Sequence, residues 1–176
     1  ELGRHLEAQG LHVSGVSTIT GIYREEIQVC GENNHAGTTM MQDRKDAFLA
    51  LADFAVGLNE IVGAYKDPDV VGTMGYAKIS PNEANIIPGS AVGIIDIRTC
   101  EKKIVLEIVK KLNELTKEIE KSRKVKIVRH VLLDQPARFM DEDIIRIVKE
   151  NLAKINEPEN VMVSMAGHDA SNMQLI

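Results

Sequence analysis

The order in which hydrophobic periodicity changes along the chain narrows its fold more than any other feature. Residues 22–30 alternate, with Tyr23, Ile27 and Val29 on one face and Arg24, Glu26 and Gln28 on the other, which predicts a half-buried strand. From 44 to 62 the period lengthens to that of a helix. Phe48, Leu51, Ala55, Leu58 and Val62 form one stripe, and Ala47, Phe54 and Ile61 widen it, so burial on two sides is expected. Alternation returns at Val70–Ile79, where Gly72 and Gly75 tolerate close backbone approach, and Ser80-Pro81-Asn82 breaks it. Ile86-Ile87-Pro88-Gly89 signals a turn before a third strand, Ala91–Arg98, in which Asp96 and Arg98 share a face with Val92 and Ile94. Thr99 is the expected N-cap of a long helix over 101–121, whose stripe is Ile104, Ile108, Leu112, Leu115 and Ile119. Lys103–Glu107 and Glu107–Lys111 support that helix as i,i+4 pairs. Lys124–Leu133 alternates again as a fourth strand. The order β-α-β-β-α-β predicts an α+β, ferredoxin-like two-layer sandwich: a four-stranded antiparallel sheet with two helices on one face.

Asp134-Gln135-Pro136 ends that pattern, and a helix over 141–155 and a short strand, Val161–Met165, extend the chain beyond what the sandwich needs. They read as the re-entry into a second domain. The chain begins at Glu1 without an initiator Met and stops at Ile176 soon after a His-Asp pair, and is therefore expected to be a piece of something longer.

Composition removes several classes of function. Of 176 residues, 21 are basic and 26 acidic, for a net charge of −5, and aromatics are 3 % with no Trp. This is neither the charge footprint nor the stacking inventory of a nucleic-acid binder. The run from Glu101 to His130 is locally basic and reads as a solvated helix face. No apolar run reaches the roughly 18 residues of a membrane span. Two cysteines, Cys30 and Cys100, are too few for a disulfide scaffold, so a cytoplasmic location is expected.

Three clusters could carry chemistry. Gly31-Glu-Asn-Asn-His35-Ala-Gly-Thr-Thr39 lies in a strand-to-helix loop, where small residues and a His make room for a ligand; read alone, it is a turn and an N-cap with His35 solvated. Asn85-Ile-Ile-Pro-Gly89 followed by Ile95-Asp-Ile-Arg98 ends in an arginine suited to bidentate carboxylate binding; the alternative is an ion pair of Asp96 with Arg98 or with the basic helix. His168-Asp169 sets a carboxylate beside an imidazole, although neighbouring side chains usually point apart. Among His5, His12, His35, His130 and His168 there is no His-x-x-x-His, nor any Cys-x-x-Cys, so a metal site within the chain would need distant ligands. Cys30 ends a strand and Cys100 opens a helix; both are expected to be buried small apolar residues rather than nucleophiles.

Asn34-His35-Ala36-Gly37-Thr38-Thr39, Arg44, Asp46-Ala47, Asn85-Ile86-Ile87-Pro88-Gly89, Asp96-Ile97-Arg98 and Gly167-His168-Asp169-Ala170 occur together and in this order. In this the chain resembles the dinuclear-zinc amidohydrolases of the zinc peptidase type that include allantoate amidohydrolase, N-carbamoyl-L-amino-acid hydrolase and β-alanine synthase. The resemblance covers nearly the whole chain. It implies a catalytic domain interrupted by a smaller ferredoxin-like lid that also mediates dimerisation. Residues 1–19 would be a stub of the catalytic domain, 20–133 the lid, and 134–176 a further part of the catalytic domain. It implies that His35 is catalytic, reaching the active site of the partner subunit in a homodimer, and that Asn85 and Arg98 bind the carboxylate end of a small-molecule substrate. His168 and Asp169 would lie near the site. Two divalent metal ions (zinc, or manganese or cobalt) would activate water and polarise the carbonyl in the full-length enzyme, with a Glu outside this chain moving the proton. None of their ligands is expected in this piece, which would bind no metal and be inactive alone. Two departures stand out: Met40 occupies a position where the family has Pro, and Leu2 one where a substrate-contacting Gln is expected. The alternatives are a non-catalytic dimerisation or small-molecule-binding module, or a zinc-dependent aminopeptidase or dipeptidase of the same superfamily.

Overall fold

The computed structural model describes residues 3–173, and Leu2 lies outside them. In chain order the elements are α1 (Gly3–Ala8), β1 (Gly15–Ile19), β2 (Gly21–Cys30), β3 (Asn34–His35), α2 (Ala47–Gly63), β4 (Val71–Ser80), β5 (Ile86–Ile87), β6 (Ser90–Thr99), α3 (Lys102–Arg123), β7 (Lys126–Gln135), β8 (Arg138–Phe139), α4 (Glu142–Lys154), β9 (Val161–Ser164) and α5 (Ala170–Met173). The α+β sandwich expected from the periodicity is present. Its antiparallel sheet has the order β4-β6-β2-β7.

One face of this sheet buries Ile27, Val29, Ile95 and Ile97 against Phe54 and Leu58 of α2 and Ile108 and Leu112 of α3. Glu25 occupies the same inward face and is buried. Arg129 makes this tolerable: its Nη2 donates to Glu25 Oε2 at 2.6 Å while its guanidinium lies over the Phe54 ring, 5.6 Å from the centroid. Burial and the Glu25 carboxylate together push the neighbouring Tyr23 phenol up to about 12.

Helix boundaries depart from the periodicity for local reasons. The second helix begins at Ala47, not 44, because Asp46 caps it by accepting from the amides of Phe48 and Leu49. Thr99 is not the N-cap of α3. It is buried at the end of β6, its hydroxyl accepts from Glu101 N, and the helix starts at Lys102. Lys124 closes α3 in the left-handed region (φ 57°). Helix α2 is buried on two sides as expected, with Leu51 and Val62 against the sheet and Gly57 against Leu115 of α3, whereas Phe48 of the expected stripe is exposed. Cys30, expected to be buried, is exposed at the end of β2, and Cys100 is half-buried; both are free.

The flanking segments form a second sheet that the periodicity did not reveal, in the order β8-β1-β9, with β1 antiparallel to β8 and parallel to β9. Two backbone crossings join the sheets. At one, a Cβ on Gly21 would lie 2.7 Å from Gln135 O and 2.9 Å from Ala137 N, so only glycine lets β1 pass into β2 beside the β7–β8 link. Helix α4 lies against β1 with Leu152 buried, while Ile144 and Ile155 remain exposed. Among the described residues no helix is long and apolar enough to cross a membrane.

Phe54 and Phe48 separate core from surface on one helix. Phe54→Ala is expected to cost about 3–5 kcal/mol of unfolding free energy and Phe48→Ala under about 1 kcal/mol, read from denaturant midpoints at constant slope.

Candidate active site

The expected site residues fall into two groups at opposite ends of β6. The first is the loop after β2. Gly31 N donates to Gly89 O at 2.8 Å, Glu32 N to Lys45 O at 2.9 Å, and Ala47 N to Pro88 O at 2.9 Å, so the loop is laced to the segment before β6. A side chain on Gly31 would run into the Lys45 carbonyl, so this lacing requires glycine there. The two-residue strands β3 and β5 pair His35 with Ile86, and Ala36 N donates to Asn85 O at 2.9 Å. His35 and Asn85 thus occupy neighbouring positions of one small ribbon, both exposed.

The His35 ring is oriented from within its own turn. Gly37 N donates to Nδ1 at 3.0 Å, so in the neutral imidazole the proton sits on Nε2, free to be given to an acceptor. Arg44 braces the turn, donating from Nη2 to Ala36 O at 2.7 Å and from Nε and Nη2 to Thr39 O at 3.2 and 3.1 Å. Met40, at the departure from Pro, has φ −60°, the value a proline would impose, so the turn keeps that backbone course.

The second group sits about 25 Å away, since Arg98 follows Ser90 by eight extended residues. Asp96 Oδ1 accepts from Arg98 Nε at 2.8 Å, and Asp96 Oδ2 from Arg24 Nε at 2.7 Å. The ion pair therefore joins Asp96 to Arg98 and to Arg24 on the adjacent strand, not to the basic helix. Burial would raise the Asp96 carboxyl, but hydrogen bonds and charge from Arg98 and Arg24 outweigh it and hold the group below the ordinary carboxylate value. Arg98 Nη1 also donates to Met165 O at 2.6 Å, which ties the sandwich to the loop carrying His168 and Asp169. There, His168 Nδ1 accepts from Ala170 N at 3.1 Å, and His168 and Asp169 share no hydrogen bond. That loop borders an apolar cavity of about 570 Å³ whose lining includes Val16, Ile19, Met140 and His168. In sequence Arg24 is one polar residue of an alternating strand; only the register of β2 with β6, which sets it opposite Asp96, reveals its contact.

Cys100 is no activated thiol, because burial and the carboxylates of Asp69, Asp67 and Glu101 push it up. Among the described residues no three His, Cys, Asp or Glu side chains gather as a metal centre. His35 stands on the far end of the sheet from His168 and Asp169, so the residues present do not fit the pair of metal ions that the resemblance implies.

The fold recurs in solved amidases. No protein-family model matches the chain. It is 31 % identical over 177 residues to ureidoglycolate hydrolase of Arabidopsis thaliana, taking in 100 % of this chain and 37 % of that protein. It is 29 % identical over 170 residues to allantoate amidohydrolase of Escherichia coli, across 97 % of this chain and 41 % of that protein. A solved amidase of the hydantoinase/carbamoylase family from Burkholderia multivorans superposes with a TM-score of 0.89 at 26 % identity, over 96 % of this chain and 41 % of that one. Over almost its whole length the chain is similar to these amidohydrolases, and it spans about two fifths of the length of these relatives.

Two outcomes test the local geometry. Arg44→Ala should speed hydrogen exchange at the Thr38 and Thr39 amides, which both donate to His35 O. Because the folded Asp96 carboxyl is held below its usual 3.8, its contribution to stability is complete above that pH and is lost as pH falls through the lower folded value. The stability gap between the native chain and Asp96→Asn should therefore be flat at neutral pH and close on acidification, as read by urea titration at stepped pH.

Proposed function

We propose that the protein carrying this chain hydrolyses a C–N bond of a small N-carbamoyl or ureido acid, and that this chain recognises the substrate. The observation that carries the reading is the Arg98 guanidinium: Asp96 and the Met165 carbonyl fix it at the sheet end, and part of its donor fork remains free to take a carboxylate. The names of the relatives, ureidoglycolate hydrolase and allantoate amidohydrolase, support ureido acids as the substrate class. In this reading Asn85 offers its amide to the same carboxylate end. His35 gives its Nε2–H to the carbonyl oxygen, where negative charge grows in the transition state. The metal ions and the attacking water are assigned to other parts of the protein, and no step attributed to these residues depends on where they sit. Residues 20–133 then act as a lid and 134–176 as part of the catalytic domain.

Within one copy His35 and Asn85 are held away from Arg98 by the length of β6, which supports a site that two copies complete together. We infer a homodimer through the lid. Helix α2 turns Phe48 and Val56 outward, and β4 is an edge strand with Val71 and Tyr76 exposed, so both offer surface for a second copy.

In the full-length protein, Arg98→Gln should raise KM for an N-carbamoyl amino acid about 100-fold while kcat changes far less. An unchanged KM, or turnover of dipeptides instead of ureido acids, would contradict the reading. Sedimentation at micromolar concentration should give a dimer.

A further inference from the structure

Arg98 is already paired. Its Nε and Nη2 donate to the two Asp96 carboxylate oxygens at 2.8 and 3.5 Å, so Asp96 and Arg98 together are neutral. Such a pair offers an incoming carboxylate N–H donors but no net charge to offset its loss of water. The adjacent strand supplies that charge. Arg24 stands opposite Asp96 in the β2–β6 register and donates its Nε to the same carboxylate at 2.7 Å. Three side chains then sum to one positive charge.

No charged residue lies directly opposite this trio to compensate that charge. Cross-strand neighbours of Arg24, Asp96 and Arg98 on this open face are Leu133, Thr73, Val71 and Ile22, none of them charged. The carboxylate of Glu26, the next residue of β2 on the same face, is turned to Gln28, from which it accepts at 2.6 Å, and makes no ion pair with Arg24. Arg24 keeps both Nη groups free of hydrogen bonds among the described residues, and its side chain is 43 % exposed, so it is not there to satisfy a buried acceptor.

We propose that Arg24 is a specificity-determining residue for the substrate carboxylate: it offsets the charge of Asp96, so that Arg98 presents the free N–H groups of its fork together with a net positive charge. The proposal rests on the reading of Arg98 as the carboxylate clamp and gives it a second, electrostatic component. It makes the protein select acids over their neutral amides or esters, because a neutral ligand gains nothing from the extra charge.

The test is substrate kinetics in the full-length protein with an N-carbamoyl amino acid and its carboxamide analogue. Arg24→Gln should raise KM for the acid roughly tenfold, leave kcat within roughly twofold, and leave the carboxamide unaffected. Arg24→Lys, which keeps the charge, should restore most of the loss. Equal losses on acid and carboxamide would mean a merely structural role and overturn the proposal, as would an unchanged KM for the acid. Arg98→Gln, measured alongside, separates the two failures. If it weakens acid binding and Arg24→Gln does not, the proposal alone falls; if neither does, the reading of Arg98 falls with it. Circular dichroism and thermal midpoints matched to the native protein show that each variant is folded.

Discussion

The full-length pairing of β2 with β6 is the constraint on which the arrangement depends. Gly21 faces Thr99 at one end and Cys30 faces Ser90 at the other, so ten consecutive residues are locked in one register. A slip of one residue would turn Ile95 and Ile97 to solvent and Asp96 and Arg98 into the core, at a cost of several buried side chains and two buried charges. Because the register cannot slip, the ends of the candidate site are held apart by the length of a strand. The His35 turn is stitched to the entry of β6, and Arg98 sits at its exit.

Each end is stiffened by a different kind of contact. At the entry, main-chain hydrogen bonds and the Arg44 guanidinium hold a turn of small residues that has no hydrophobic core of its own. At the exit, one carboxylate gathers two guanidiniums, and one of these reaches the Met165 carbonyl beyond the sandwich. That last bond, with Thr20 N to Ser164 O at 3.0 Å, ties the two sheets side to side beside the backbone crossing at Gly21. Polar groups therefore govern the geometry at the functional ends, while the apolar core fixes only the distance between them.

Much of the sandwich was legible because its core-facing residues recur with clean periods. The alternation of Ile27 and Val29 and the helical spacing of Ile108 and Leu112 translate directly into burial. The second sheet was not legible, because β1 and β9 are five and four residues long and β8 only two, too short for a period to declare itself, and their partners lie more than a hundred residues away. Glu25 and Arg129 escaped for another reason: each reads as a surface charge in sequence, and only their meeting across β2 and β7 makes the inward position possible. The residues of the candidate site were legible as types in ordered motifs. Their division between two ends of one strand, and the part played by Arg24, depend on pairing that no local pattern encodes.

If the two ends serve one ligand only across a pair of copies, defective subunits should complement one another. Arg98→Gln and His35→Ala forms of the full-length protein, assayed near the native KM so that each has little activity alone, would be mixed under conditions that exchange subunits. Shared sites predict that activity returns towards about a quarter of the native level, because half of the randomly mixed dimers regain one of two sites. Mixtures no more active than the separate variants, although hybrid dimers are shown to form, would contradict the claim.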